Sequence, residues 1–145
     1  MAKKRIAVLF GGASADHAAS LHTAYSVLSA MPKEIEPLAI GITRAGRWLF
    51  YPGSYENIKD GSWEQDSDCC SCIISPDMTN KGVIKIISDG ESTIHRIDAV
   101  FPVLHGKYGE DGRVQGLCKL AATILRRRHC ATTDVLWIWC CPTAA

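Results

Sequence analysis

The sequence predicts an α/β domain, a parallel sheet with flanking helices and a β-hairpin insertion. Three observations carry this. A continuous apolar run ends in a glycine-containing polar loop twice, at Ile6–Phe10 before Gly11-Gly12 and at Ala99–Leu104 before His105-Gly106. The first run is followed by a helical pattern and then a second apolar run, the alternation of a βαβ unit with an expected right-handed crossover. Two strand-like stretches flank Asp89-Gly90, a dipeptide that favours a tight hairpin. The architecture implied is Rossmann-like, with binding loops at the carboxyl ends of strands buried on both faces.

Each element has its own justification. Lys4–Phe10 is basic for two residues and then wholly apolar, as a central strand requires. The loop Ala13–His17 leads into Leu21, Ala24, Val27, Leu28 and Met31 at helical spacing, which predicts a helix over 18–30 that Pro32 helps to stop. Ile35–Thr43 places Leu38, Ile40 and Ile42 on one face of a second strand. Arg44–Arg47 is turn chemistry, and Trp48–Tyr51 reads as a short return strand. Residues 52–79, rich in Ser, Asp, Asn and Gly, read as a surface excursion with one short helix near Tyr55–Asp60. Gly82–Ser88 and Thr93–Ile97 form the hairpin, Asp98–Leu104 the third central strand, and a helix starts at Asp111 or Gly112 and runs to about Ala122. From Thr123 onward neither periodicity nor caps are visible.

Bulk properties exclude several classes. A chain of 145 residues can bury one sizeable core. A formal net charge of +1 gives no sign of a nucleic-acid or membrane partner. No apolar stretch approaches a membrane span, and Ile6–Phe10 is too short for a signal-peptide core, so a cytoplasmic protein is expected. The seven cysteines are then read as reduced thiols. Cys69-x-x-Cys72 has metal-knuckle spacing but no second pair nearby, so no metal site is assigned.

The chemistry concentrates in the two glycine loops. Gly11–Asp16 opens a helix, where backbone N–H groups and the helix dipole favour an anion, although neither a dinucleotide nor a P-loop fingerprint is met. Asp16 reads either as an N-cap or as an anion for a ligand ammonium. His105, at the end of a strand, reads either as a donor to a substrate carboxylate and general acid or base, or as a histidine satisfied by a backbone carbonyl. Glu110-Asp111 suit a helix N-terminus whatever else they do. His17 and His22 read as surface residues at a helix start, and His95 as a solvated hairpin residue. Arg126–Arg128 reads as a phosphate patch or as a solvated turn.

The two loops also carry a resemblance. R-I-A-V-L-F-G-G-A-S-A-D-H-A-A-S-L (Arg5–Leu21) and V-F-P-V-L-H-G-K-Y-G-E-D-G-R-V-Q-G-L (Val100–Leu117) resemble the two N-terminal motifs of the D-alanine–D-alanine ligases, and Gly41–Trp48 adds to the likeness. The middle section is more similar to the D-alanine–D-serine ligases of the vancomycin-resistance type. The resemblance covers about residues 4–122 and implies the N-terminal, pre-ATP-grasp domain of an enzyme of peptidoglycan biosynthesis. Such an enzyme uses ATP and Mg2+ to turn the carboxylate of a first D-alanine into an acyl phosphate, which a second amine attacks. By motif position, Asp16 stands at a family glutamate that contacts the first substrate's ammonium, and His105 at a family histidine near that substrate. Gly11, Gly12 and Ser20 stand at further substrate-side places.

The departures from the family pattern are specific. Asp16 is one methylene short of the glutamate, a loss of ~1.5 Å of reach. Ala18 replaces a second acid and Ala19 a branched aliphatic residue. After Ala122 the family would continue Ile-Pro-Tyr-Val-Gly. Leu125-Arg126-Arg127 can be encoded CTA CGT CGG, and with the following C the second base opens TAC GTC GGC, or Tyr-Val-Gly. Residues 1–122 are therefore expected to be the domain and 123–145 a frameshifted tail. The chain alone is expected to be inactive as a ligase, with ATP and Mg2+ bound by domains it lacks and a homodimer formed by the full-length enzyme. Two other readings stay open: a stand-alone module that binds a small amino acid or anion at the two loops, or a nonfunctional fragment with an exposed apolar tail.

Overall fold

The computed structural model describes residues 3–80, 83–106, 111–121 and 124–125. In chain order the strands are β1 (Lys4–Gly11), β2 (Ile35–Ile42), β3 (Trp48–Phe50), β4 (Cys70–Ile74), β5 (Val83–Ser88), β6 (Glu91–Arg96), β7 (Ala99–Pro102) and β8 (Ile124–Leu125). The helices are α1 (His17–Ser29), α2 (Tyr55–Asp60) and α3 (Arg113–Leu120), with 3-10 turns at Ser62–Gln65 and Met78–Asn80. Among the described residues the strands form one sheet in the order β6-β5-β4-β3-β2-β1-β7-β8.

The centre of that sheet is parallel, as predicted. β1 pairs with β2 from Lys4↔Ile35 to Gly11↔Ile42 and with β7 from Ile6↔Ala99 to Leu9↔Pro102, and β7 pairs in parallel with β8. Alternation along β1 feeds two cores, since successive side chains point to opposite faces. Val8 and Phe10 pack with Leu21, Ala24 and Leu28 of α1, Ile58 of α2 and Trp63. Ala7 and Leu9 pack with Leu38, Ile40 and Ile42 of β2 and with Val114 and Cys118 of α3. A strand buried on both faces must read as a continuous apolar run, which is why β1 was visible in the sequence.

Outward from β2 every pairing is antiparallel. The hairpin turns at Asp89-Gly90 with Ser88 opposite Glu91, and the short helix α2 falls at Tyr55–Asp60. The excursion over 52–79 holds one strand the sequence did not announce, β4. Cys72 and Ile74 are buried there while Ile73 is 49% exposed, a period-two pattern hidden by its cysteines and its polar flanks. β4 bridges β3 and β5, so the hairpin extends the main sheet. β7 and α3 are shorter than expected. Within the segment expected to lack pattern, Ile124–Leu125 pairs with β7. The rest of that segment, residues 123 and 126–145 with Arg126–Arg128, lies outside the described residues, as does Glu110.

Candidate functional site

β1 hands the chain to α1 and β2 on one side, while β7 lies on its other side. This is the point in an open α/β sheet where two strand ends part and leave a crevice. The loops after β1 and after β7 lie side by side there. Ser20 Oγ accepts the Gly11 N–H at 2.8 Å and donates to the Val103 carbonyl at 2.5 Å. Ser14 Oγ donates to the His105 carbonyl at 2.7 Å. The Val103 N–H returns to the Leu9 carbonyl at 2.8 Å. Ser20 is 0% exposed, so it joins the loops from beneath. Ser20→Ala leaves a buried N–H and a buried C=O without that partner, and is expected to cost about 1–3 kcal/mol in urea denaturation.

A cleft of about 390 Å³ opens over these strand ends. Gly11, Gly12 and His105 line it with Leu104, Trp48, Val114 and Leu117. Asp16 does not line it. It occupies the N-cap position of α1 but makes no side-chain capping bond. Its carboxylate lies against Gly106 instead, so close that a Cβ built on Gly106 would stand 2.7 Å from Asp16 Oδ2. Asp16 is therefore held beside the residue that follows His105.

His105 is half-buried, with Nε2 3.3 Å from Thr23 Oγ1. The Thr23 hydroxyl donates to the Ala19 carbonyl at 3.0 Å, which holds its oxygen beside the imidazole. Thr23 was not singled out in the sequence, yet Asp16, Ser20 and Thr23 follow the i, i+4, i+7 spacing of one helix stripe.

Two expectations are corrected here. The Gly11 and Gly12 N–H groups are not offered to an anion: the first is taken by Ser20 and the second by the Ile42 carbonyl at 2.7 Å. The glycines instead shape the cleft by having no side chains. His17 is not a surface residue. It is 4% exposed, with Nδ1 2.7 Å from the Gly12 carbonyl and Nε2 3.6 Å from Glu64 Oε1. The 3-10 turn over Ser62–Gln65 covers it, a packing that no local pattern announces. His22 is exposed, and His95 shares a contact with Thr93 at 3.2 Å.

The described cysteines do not line this cleft. Burial pushes the Cys72 thiol up to about 12, and the Cys69 and Cys118 thiols up to about 11. Protonated, packed thiols of this kind are poor nucleophiles and poor metal ligands. Among the described residues no group of three or more His, Cys, Asp or Glu side chains could hold a metal ion. Among them, too, no helix is long and apolar enough to cross a membrane.

Comparison with known proteins agrees with the geometry. The family described as D-ala D-ala ligase N-terminus matches residues 5–124. A D-alanine–D-alanine ligase of Caldicellulosiruptor bescii is 48% identical over 122 residues, covering 83% of this chain and 32% of that protein. Among solved structures, the VanG D-Ala:D-Ser ligase from Enterococcus faecalis superposes with a TM-score of 0.78 at 39% identity, covering 85% of this chain and 35% of that one. The D-alanine–D-alanine ligase from Coxiella burnetii superposes with a TM-score of 0.69 at 25% identity, covering 86% and 35%. The chain thus spans about a third of the length of the relatives it matches.

Proposed function

This chain belongs to the family of D-alanine–D-alanine ligase N-terminal domains, and we propose that it supplies part of the first-substrate site of an ATP-dependent ligase that joins D-alanine to a second D-amino acid in the cytoplasm for peptidoglycan. The observation that carries the reading is the stitched pair of loops, which sets the Asp16 carboxylate against Gly106 and holds the neighbouring His105 ring beside Thr23. A D-alanine zwitterion needs an anion for its ammonium and a donor for its carboxylate. Asp16 is assigned the first task and His105 the second, with Gly11 and Gly12 leaving room for the ligand and Ser20 holding the loops together.

Nucleotide and magnesium are assigned elsewhere. The Gly11 and Gly12 N–H groups are spent inside the fold, on Ser20 and on the Ile42 carbonyl. In the ligase, ATP would supply the activating phosphate. The residues of this chain bind and orient the amino acid. Residues 1–122 are assigned to the domain and 123–145, apart from the strand at Ile124–Leu125, to an aberrant tail, and the full-length enzyme is taken to be a homodimer.

Titration calorimetry on the 145-residue chain is expected to show saturable D-alanine binding, weakened about tenfold or more by His105→Ala, the cost of one charge-assisted hydrogen bond. No heat of binding at millimolar D-alanine would overturn the reading. The same chain is expected to release no phosphate from ATP with D-alanine present. Measurable release would place the activating chemistry within these residues.

A further inference from the structure

We propose that His17 is a positioning residue of this site: its imidazole holds the Gly12 carbonyl and ties the cleft-lining loop to the 3-10 turn at Ser62–Gln65. Only the D-alanine arm of the test below rests on the substrate reading.

The Gly12 peptide is gripped from both sides. Its N–H donates to the Ile42 carbonyl at 2.7 Å, and its C=O lies 2.7 Å from His17 Nδ1. A carbonyl oxygen can only accept, so Nδ1 carries a proton and donates. The ring fits because Gly11 has no side chain: a Cβ there would lie 3.1 Å from His17 Cε1. On the far side of the ring, Nε2 faces Glu64 Oε1 at 3.6 Å, with the Glu64 side chain 35% exposed. Glu64 is itself placed by its neighbour. Trp63 is 0% exposed and packs edge-on against Phe10 at 5.0 Å. Core packing of Trp63 therefore sets Glu64, Glu64 meets His17, and His17 fixes a peptide that lines the cleft. A residue that merely filled this space would leave the buried Gly12 carbonyl without its donor.

The test compares variants of the full chain by amide hydrogen exchange, histidine nitrogen shifts and D-alanine calorimetry. In the unsubstituted chain the nitrogen shifts should show a protonated His17 Nδ1, and an unprotonated Nδ1 would overturn the proposal. His17→Leu should speed exchange at Gly12 and Ala13 about tenfold relative to Val8 and Leu9, as local opening becomes easier. It should also weaken D-alanine binding by a similar factor. His17→Asn, whose amide nitrogen takes the place of Nδ1, should restore both to within about threefold, while His17→Gln, with its nitrogen at the Nε2 place, should not. Should the leucine variant fail to fold, the asparagine and glutamine variants decide between them. Glu64→Ala should speed the same amides by about twofold to threefold, in keeping with a partly exposed pair. Equal behaviour of the asparagine and glutamine variants would reduce His17 to a packing residue, and an unchanged loop in Glu64→Ala would remove the tie to the turn. If the unsubstituted chain binds no D-alanine, the substrate reading falls while the exchange and nitrogen data still decide the role of His17.

Discussion

Trp63→Ala is expected to lower the stability of this domain by about 3–5 kcal/mol, a large part of the ~5–15 kcal/mol typical of a whole domain. The indole is 0% exposed and lies edge-on to Phe10 at 5.0 Å and to Tyr51 at 6.3 Å. Its six-membered ring rests on the backbone of β2, where a Cβ on Gly41 would overlap it. Truncation therefore opens a cavity between the sheet, α1 and α2 that the flat surface at Gly41 cannot collapse to fill. One term acts the other way. The Trp63 Nε1 hydrogen is buried with no hydrogen-bond partner, and an orphan of this kind costs ~1–3 kcal/mol. Trp63→Phe removes it along with part of the ring, so it should cost less than half as much as alanine. Urea denaturation with an unchanged slope would check both, and equal losses for the two variants would show that the ring kept by phenylalanine fills none of the cavity.

Trp63 also shows which parts of the fold a sequence discloses. β1 and α1 were legible because burial on two faces writes a continuous apolar run, and burial on one helix face writes a 3.6-residue period. The hairpin was legible because Asp89-Gly90 is a local turn signal. Trp63 stands in Gly61-Ser62-Trp63-Glu64-Gln65, a polar stretch with no period. Its burial depends on a missing side chain at Gly41, far away in the chain, and that pairing is written nowhere locally. His17 is buried for the same nonlocal reason. β4 was missed because Cys69-Cys70 and Ser71 blur the alternation that Cys72 and Ile74 complete.

The candidate site divides along the same line. Its location was legible, since both loops follow apolar strands and carry the family motifs. The division of labour was not. Ser20 matches the motif as a substrate-side residue, but its oxygen is committed to the Gly11 N–H and the Val103 carbonyl. Thr23 carries no motif signal, yet its hydroxyl lies 3.3 Å from His105 Nε2. A side chain's partner across the crevice depends on how two loops meet, and neither loop records the other's geometry.

That meeting is most exposed to test at Gly106. It has φ +72, and a Cβ there would lie 2.7 Å from Asp16 Oδ2 and 3.4 Å from Ser14 Oγ. Gly106→Ala therefore carries two separable penalties. The positive φ costs about 1–2 kcal/mol in stability for a residue with a Cβ. The crowding drives the Asp16 carboxylate off its place and strains the 2.7 Å bond from Ser14 to the His105 carbonyl, so D-alanine affinity should fall more than tenfold, as one lost polar contact implies. Gly90→Ala isolates the first penalty, because Gly90 has φ +81 in the hairpin turn with nothing within 4 Å of its would-be Cβ. It should lose similar stability and bind D-alanine as the unsubstituted chain does. Denaturation and calorimetry on the two variants separate backbone strain from displacement of the site. If Gly106→Ala binds D-alanine unchanged while showing the same stability loss as Gly90→Ala, the placement of Asp16 over Gly106 does not set the substrate's position, and the ammonium must be held by another group.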